Sequence, residues 1–315
     1  MDFVELSSLT FLLSVPALAV IGLCIGSFLN VVVHRLPLML ERQWLGDVQA
    51  MLQDSAGLQR TLGAGIDAAA VQHLHDGGER LGSALASLPA LSLSRPRSRC
   101  PACGTQLGWH HNLPILSWLA LRGRCAACRA PISRRYPLVE AGTALAFGLI
   151  GWVFGPTATS VVYCVAAALL IAMALIDLDT TLLPDSLTYA LLGLGLFSAW
   201  MGWTPLRLED AALGVLFGYG SLWALTTLYA LLRGVRGMAE GDFKLLAALG
   251  ALLGVAQLLP IVLLASLVGA AVGIFLVLAR GHQREVPIPF GPYLAGGGLA
   301  AMFFGPQLLR WWLPV

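Results

Sequence analysis

Long apolar runs alternate with short polar segments along most of the chain. Each run is close to the length that an α-helix needs to cross a bilayer, about 20 residues, and lacks the polar face of a soluble amphipathic helix. The sixth and seventh runs are short and meet at Pro260, so the pattern also allows seven or nine spans. The eight predicted spans are residues 10–33, 138–155, 158–176, 186–202, 211–232, 243–258, 259–279 and 293–312.

The composition agrees with a lipid environment. The chain has 315 residues, of which 57% are hydrophobic and 11% charged, whereas soluble proteins carry about 25% charged residues. We therefore predict an all-α, polytopic membrane protein instead of a large soluble helical core. The first run follows Asp2 and Glu5 and precedes Arg35. We expect it to stay as a helix, because a cleaved signal peptide starts with a basic region.

The positive charges predict an orientation. With eight spans and the N-terminus outside, 17 of the 19 Lys and Arg residues fall on the cytoplasmic side, and only Arg207 and Arg310 fall outside. Twelve of the 17 lie between His34 and Tyr136. The net charge of +2 thus reflects topology, and it gives no indication of nucleic-acid binding.

The sequence predicts three parts: a first transmembrane helix over residues 1–35, a cytoplasmic insertion over 36–136 and a membrane domain over 137–315. The insertion starts with a segment expected to be irregular or in short helices. Its middle, residues 52–98, has no strong periodicity. We expect that middle part to be partly disordered, or to pack only against the membrane face.

Four cysteines in the insertion form two Cys-x-x-Cys pairs separated by 21 residues. Two such pairs can surround Zn²⁺ tetrahedrally, with Gly104 favouring the tight turn and with a hairpin between the pairs. Four sulfur ligands leave no position for water, so the zinc would be structural. Disulfides or free thiols are the alternative, but structural disulfides are rare in the reducing cytoplasm. Cys24 and Cys164 lie in apolar runs and are interpreted as packing residues. The predicted ligands are Cys100, Cys103, Cys125 and Cys128.

Carboxylates at the ends of two spans are the candidate chemistry, because ionisable groups are costly at membrane depth. Asp177 ends the third span and Asp242 starts the sixth, so the topology puts both at the cytoplasmic side. Two adjacent carboxylates cannot both ionise comfortably, and one acid plus one base suits peptide hydrolysis. A proton- or metal-coupled transporter could use the same pair. Asp185 is interpreted as a helix cap, and Asp179 and Glu240 as solvated.

Six ordered blocks of the sequence then resemble the bacterial type IV prepilin peptidases, which are Gly-x-Gly-Asp intramembrane aspartic proteases. They are GSFLNVVVHRLP (26–37), the cysteine pairs, RRYPLVE (134–140), ALIDLDTTLLPD (174–185), GDFKLLAALGA (241–251) and PIPFGPYLA (287–295). The resemblance implies that Asp177 and Asp242 are the catalytic pair and that residues 137–315 are the peptidase domain. Ala239 stands where the signature has its first Gly. We expect activity to survive unless that position needs a positive φ.

The resemblance further implies the reaction. Prepilins and pseudopilins of pilus assembly and type II secretion would be cleaved after the terminal Gly of a basic leader, at the cytoplasmic face of the inner membrane. The new N-terminal amine would then be methylated with S-adenosylmethionine. The resemblance places the methyl donor toward the insertion and the segment of Asn30, His34 and Arg35, although a helix-packing hydrogen bond explains Asn30 equally well.

Two further expectations concern the surroundings of the site. We expect Asp179, Asp185 and Glu240 to form an acidic rim for the basic leader, and PIPFGPYLA to be a rigid element near the same face.

A peptidase that only cleaves, as in archaeal preflagellin enzymes, is a second interpretation of the function. The cysteine-bearing insertion argues against it, since those enzymes typically lack one.

Overall fold

The computed structural model describes residues 11–63, 67–234, 237–280 and 289–312. Within these ranges the regular secondary structure is helical, and the only β-structure consists of isolated bridges. Short 3-10 helices at Trp109–Asn112 and Val255–Gln257 accompany the α-helices. The α-helices are α1 (Val15–Gln53), α2 (Ser55–Leu62), α3 (Ala68–Ser87), α4 (Leu116–Ala120), α5 (Arg135–Phe154), α6 (Ala158–Thr180), α7 (Asp185–Trp200), α8 (Leu208–Arg233), α9 (Glu240–Leu253), α10 (Leu258–Arg280) and α11 (Gly291–Trp312).

Five helical segments in the described part of the chain are long and apolar enough to cross a bilayer. They are α1, α5, α6, α8 and the segment Val255–Ala279, which includes most of α10. The other three predicted spans coincide with α7, α9 and α11, of which α7 has 16 residues and α9 has 14. The prediction of an all-α membrane protein is therefore confirmed, and the count of eight spans stays a prediction.

The chain divides into two compact units. The larger consists of Met1–Val33 and Gly108–Val315, and the smaller is His34–Leu107. The three parts predicted from the sequence, with boundaries after residues 35 and 136, stay predictions.

Helix α9 lies at the centre of the larger unit. Its leucines Leu245, Leu246 and Leu249 are fully buried, and α7, α8 and α11 pack around it. A helix enclosed on all sides can be apolar throughout, which is why the sequence of α9 shows no polar face. This placement fixes the start of α9, where Asp242 lies, against the surrounding helices.

Glycines let the backbones of α8 and α9 touch. A Cβ added to Gly250 would lie 2.9 Å from the Cα of Gly214, and one added to Gly218 would lie 2.7 Å from the carbonyl oxygen of Leu246. Small residues of this kind allow close helix packing within membranes, where hydrophobic exclusion from water gives no driving force. The crossing therefore specifies how deep α9 lies beside α8.

The smaller unit is more regular than the sequence predicted. Helix α1 continues to Gln53 through Pro37, and α2 and α3 occupy much of the segment for which disorder was expected. Asp54 and Asp67 cap the two helices, accepting hydrogen bonds from the N–H groups of Gly57 and Ala69. These helices are amphipathic but mostly polar, so they do not stand out as apolar runs in the way that the membrane helices do.

Candidate active site and metal centre

Asp177 lies in the last turn of α6, and its side chain is buried, with only 4% of the residue exposed. The helix ends at Thr180, and the next residue, Thr181, is left-handed with φ of 55° and donates its N–H to the Asp177 carbonyl at 2.8 Å. The turn thus directs the chain away from the helix axis immediately after Asp177, toward α7.

Asp242 lies in the first turn of α9 and is also buried, with 6% of the residue exposed. Leu183 lies against both Gly241, which precedes Asp242, and Gly291, which adjoins Asp177, and the two carboxylates are close enough to repel each other. They are therefore neighbours although 64 residues separate them in the sequence. The first turn of a helix favours a negative charge, because the unpaired N–H groups and the helix dipole point toward it. The structure therefore brings the two predicted carboxylates together at one end of the larger unit.

Leu183, in the turn between α6 and α7, lies against two glycines beside this pair. A Cβ added to Gly241 would lie 2.9 Å from the Leu183 Cβ, and one added to Gly291 would lie 3.1 Å from its Cδ1. Both distances are shorter than ordinary van der Waals contact. The absence of a side chain at Gly241 thus lets the start of α9 approach Leu183.

Gly291, the first residue of α11, also contacts Asp177. A Cβ added there would lie 2.6 Å from Asp177 Oδ2, and the Gly291 N–H adjoins the same carboxylate. In the described part of the chain, no protein group completes a hydrogen bond to that buried oxygen. A buried polar atom without a protein partner can accept a bond from a water or a substrate group. Gly291 was not predicted from the sequence, because the block PIPFGPYLA was interpreted only as an element made rigid by its prolines. Pro287, the first residue of that block, lies outside the described residues.

Two ion pairs surround the site. Asp179 accepts a hydrogen bond from Arg135 at 2.7 Å, and Lys244 contacts the two carboxylate oxygens of Asp185 at 2.8 and 2.9 Å. The prediction that Asp185 caps α7 is wrong, since the cap position is Pro184 and the Asp185 side chain makes no cap bond. Asp179 is paired, not simply solvated, and Glu240 is exposed as predicted.

The acidic rim is therefore weaker than expected. Two of its three members are already neutralised by basic partners, so a basic leader would have to compete with Arg135 and Lys244 for Asp179 and Asp185. Exposed ion pairs contribute little energy, so a basic leader could replace Arg135 and Lys244 at low cost. The acidic rim stays a prediction.

The two cysteine pairs have the same backbone geometry. Cys100 N–H donates to the Thr105 carbonyl at 2.9 Å, and Cys125 N–H donates to the Ala130 carbonyl at 2.9 Å. The residue after the second cysteine of each pair is left-handed: Gly104 has φ of 70° and Arg129 has φ of 61°. The tight turn predicted at Gly104 is confirmed. The residues between the pairs form the 3-10 helix Trp109–Asn112 and α4, not the expected hairpin.

The sulfur atoms of Cys100, Cys103, Cys125 and Cys128 lie within 4.8 Å of one another. In a tetrahedral zinc site with Zn–S bonds of about 2.3 Å, the sulfurs are about 3.8 Å apart, so this cluster fits a structural metal site. Of the remaining two cysteines, Cys164 is buried as predicted, whereas Cys24 is exposed, and its interpretation as a packing residue is wrong.

Comparison with known proteins shows which family this arrangement belongs to. Residues 20–154 match the family model of the bacterial peptidase A24 N-terminal domain, and residues 164–274 match that of the type IV leader peptidase family. A prepilin leader peptidase/N-methyltransferase of Aeromonas hydrophila is 43% identical over 294 residues, which cover 93% of this chain and 91% of the relative. The chain belongs to the type IV leader peptidase family.

Other similar proteins carry the same name. The prepilin leader peptidase/N-methyltransferase of Burkholderia pseudomallei is 45% identical over 292 residues, covering 91% of this chain and 84% of the relative. That of Pseudomonas aeruginosa is 41% identical over 314 residues, covering 99% of this chain and 97% of the relative. No solved structure matches the chain significantly.

This leader peptidase departs from its family signature at Ala239, and the backbone conformation at that position accepts an alanine. Ala239 precedes α9 with φ of −81° and ψ of 151°, an extended conformation that any residue adopts. The condition set from the sequence, that Ala would be harmful only at a positive φ, is not met. Gly241 is the glycine of the signature that has a steric role, through Leu183.

The residues expected near the methyl donor have other partners in this leader peptidase. The Arg35 guanidinium donates to the carbonyls of Ser92, Leu93 and Pro96 at 3.0, 3.3 and 2.7 Å. Asn30 donates to the Tyr136 carbonyl at 3.2 Å, which is the helix-packing role considered as its alternative. The placement of the methyl donor near Asn30, His34 and Arg35 stays a prediction.

Proposed function

We propose that this chain is a membrane-embedded prepilin leader peptidase and N-methyltransferase. The observation that carries the proposal is the meeting of Asp177 and Asp242, two buried carboxylates from separate helices. The names of relatives that are 41–45% identical over most of the chain support the substrate class and both activities. The substrates would be prepilins and pseudopilins.

The proposed cleavage uses the two carboxylates in complementary states. The ionised carboxylate takes a proton from water, and the water oxygen bonds to the carbonyl carbon of the scissile peptide. The protonated carboxyl group stabilises the carbonyl oxygen, and a proton passes to the leaving nitrogen as the C–N bond breaks. The buried Asp177 oxygen that has no completed protein hydrogen bond would accept one from the water or from a substrate group.

The site is proposed to lie at the cytoplasmic face of the bacterial inner membrane. Asp177 is near the C-terminus of α6 and Asp242 near the N-terminus of α9, which supports a location at one membrane boundary instead of the bilayer centre. The charge distribution of 17 of 19 Lys and Arg residues favours the cytoplasmic boundary. An apolar pilin helix could lie among the membrane helices while its polar leader stays in water.

The cysteine cluster is proposed to hold zinc as a structural ion. Cys100, Cys103, Cys125 and Cys128 would bind it as thiolates and fill its four positions, so the metal would stabilise the fold and take no part in hydrolysis. Reducing conditions in the cytoplasm support thiolate ligation over disulfides.

Methyl transfer is proposed as the second activity, with S-adenosylmethionine as the donor, on the basis of the relatives' names. S-adenosylmethionine supplies an electrophilic methyl group to an amine. The acceptor would be the N-terminal amine that cleavage creates. We assign no residue to this step.

The proposal is tested with purified protein in detergent, S-adenosylmethionine and a prepilin that has a basic leader ending in Gly. Intact mass should show loss of the leader, followed by the added mass of one methyl group on the mature product. Cleaved but unmethylated product would reduce the proposal to a peptidase. Uncut substrate, together with ion or solute flux into proteoliposomes, would support the transporter alternative.

A further inference from the structure

Gly291, the first residue of α11, adjoins the carboxylate of Asp177. We propose that Gly291 is a positioning residue for Asp177: the bare backbone at the start of α11 sets where the Asp177 carboxylate can lie. This inference rests on the proposed function, and it adds a residue outside the family signature and outside the helices that carry the two aspartates.

The first support for the proposal is steric. A Cβ at Gly291 would lie 2.6 Å from Asp177 Oδ2 and 3.2 Å from its Cγ. Real Cβ atoms essentially never approach a heavy atom to under 3.0 Å. Any other residue at this position must therefore displace the Asp177 carboxylate or move the start of α11.

The second support is that α11 has little room to retreat. Leu294, one turn further along, is fully buried, and Ala295 is 1% exposed. A Cβ added to Gly297 would lie 3.0 Å from the carbonyl oxygen of Ile261, so the helix is also close to α10. Because the interior of a protein is densely packed, the Asp177 side chain is the easier of the two to displace.

The third support is the polar environment of the carboxylate. The Gly291 N–H adjoins the Asp177 carboxylate, and Asp177 is 4% exposed. That N–H completes no hydrogen bond to Asp177 Oδ2 in the described residues, so the bare backbone of Gly291 is the contact that limits the position of this oxygen. Asp177 would otherwise be free to turn away from Asp242, because its Oδ2 has no completed hydrogen bond to the described protein.

Gly241 provides a matched comparison on the other side of the site. The nearest atoms to a Cβ added at Gly241 all belong to Leu183, at 2.9 Å or more, whereas at Gly291 the nearest atom is the Asp177 oxygen. Trimming Leu183 should therefore relieve the first substitution but not the second. Gly296, on α11, has no atom within 4 Å of an added Cβ and serves as the control for the helix itself.

The experiment measures kcat and KM for prepilin cleavage by wild type, Gly291→Ala, Gly241→Ala and the control Gly296→Ala. Gly291→Ala and Gly241→Ala are also each combined with Leu183→Ala. We expect Gly291→Ala to lose about 10- to 100-fold in kcat, with KM changed less than about threefold, and Gly296→Ala to match wild type. The loss of kcat caused by Gly291→Ala should persist when the double variant with Leu183→Ala is compared with Leu183→Ala alone. Near-normal kcat, or recovery upon trimming Leu183, would overturn the proposal.

A stability cycle tests the same contact without activity. Gly291→Ala should lower the melting temperature of the wild-type protein, and should lower it much less in an Asp177→Ala background, where the opposing oxygen is gone. Equal losses in both backgrounds would refute the contact, even if Gly291→Ala is too unstable to assay. If wild type itself cuts no prepilin, the proposed function fails, and the cycle still decides whether Gly291 positions Asp177.

Discussion

The crossing of α8 and α9 makes Gly250→Ala a sharp test of how the fold holds Asp242. The added Cβ would lie 2.5 Å from the carbonyl carbon of Gly214 and 2.9 Å from its Cα. These are backbone atoms, so no side-chain rotation can relieve the contact. The carbonyl oxygen of Gly214 is nearer still, so reaching ordinary van der Waals distance, which starts at 3.4 Å, needs a separation of the two helices by more than about 0.9 Å near the contact.

That shift should affect both stability and catalysis. Overpacking of this kind costs about 1–3 kcal/mol. Displacement of a reacting group by about 1 Å costs about 10²-fold in rate. We therefore expect the free energy of unfolding of Gly250→Ala to fall by about 1–3 kcal/mol. Because Asp242 is on the same helix as Gly250, we also expect the rate of prepilin cleavage to fall by about 10- to 100-fold.

The assay compares Gly250→Ala with Gly220→Ala, a glycine of α8 that has no atom within 4 Å of an added Cβ. Thermal unfolding in detergent and initial rates of cleavage are measured for both. Gly220→Ala should behave as wild type. If Gly250→Ala also melts and cleaves as wild type does, the close α8–α9 contact does not position Asp242 and the reasoning is refuted.

Three further predictions follow from individual contacts. Cys125→Ser should abolish bound zinc, measured by elemental analysis of the purified protein, while the exposed Cys24→Ser retains it; equal zinc in both would contradict the metal site. Lys244→Ala breaks an ion pair whose Asp185 side chain is 53% exposed, so thermal unfolding should show a loss of only about 0.2–1 kcal/mol, and a larger loss would show that the pair is more than a surface contact. Ala239→Gly should leave kcat/KM for cleavage within about twofold of wild type, because φ at this residue is −81°; a large gain would mean that the methyl group impairs the site.

The helices of the membrane part could be predicted from the sequence because an apolar run of bilayer length with few charges is typical of a transmembrane helix. Asp177 and Asp242 could be proposed for a related reason, since carboxylates in such runs are rare. The two Cys-x-x-Cys pairs could be proposed as a metal site from their spacing alone, and the four sulfurs do lie together.

Other parts of the site depend on contacts that a single sequence does not encode locally. Asp185 lies at a helix start in a sequence typical of a cap, yet it is the first residue of α7 and its carboxylate binds Lys244 on α9. Gly291 follows two prolines that suggest a helix start, and only the packing of α11 against α6 reveals that it adjoins Asp177. The helices of residues 55–87 were missed because long apolar runs reveal membrane helices but not amphipathic helices that are mostly polar.

The most direct test of the central claim is prepilin cleavage, followed by mass, in wild type, Asp177→Asn and Asp242→Asn. Asn keeps the size of Asp but can neither act as a base nor donate an acidic proton. Each single variant should lose about 10²- to 10⁴-fold in rate while keeping the helical content and melting behaviour of wild type. If either variant cuts the leader at the wild-type rate, Asp177 and Asp242 do not form the catalytic pair.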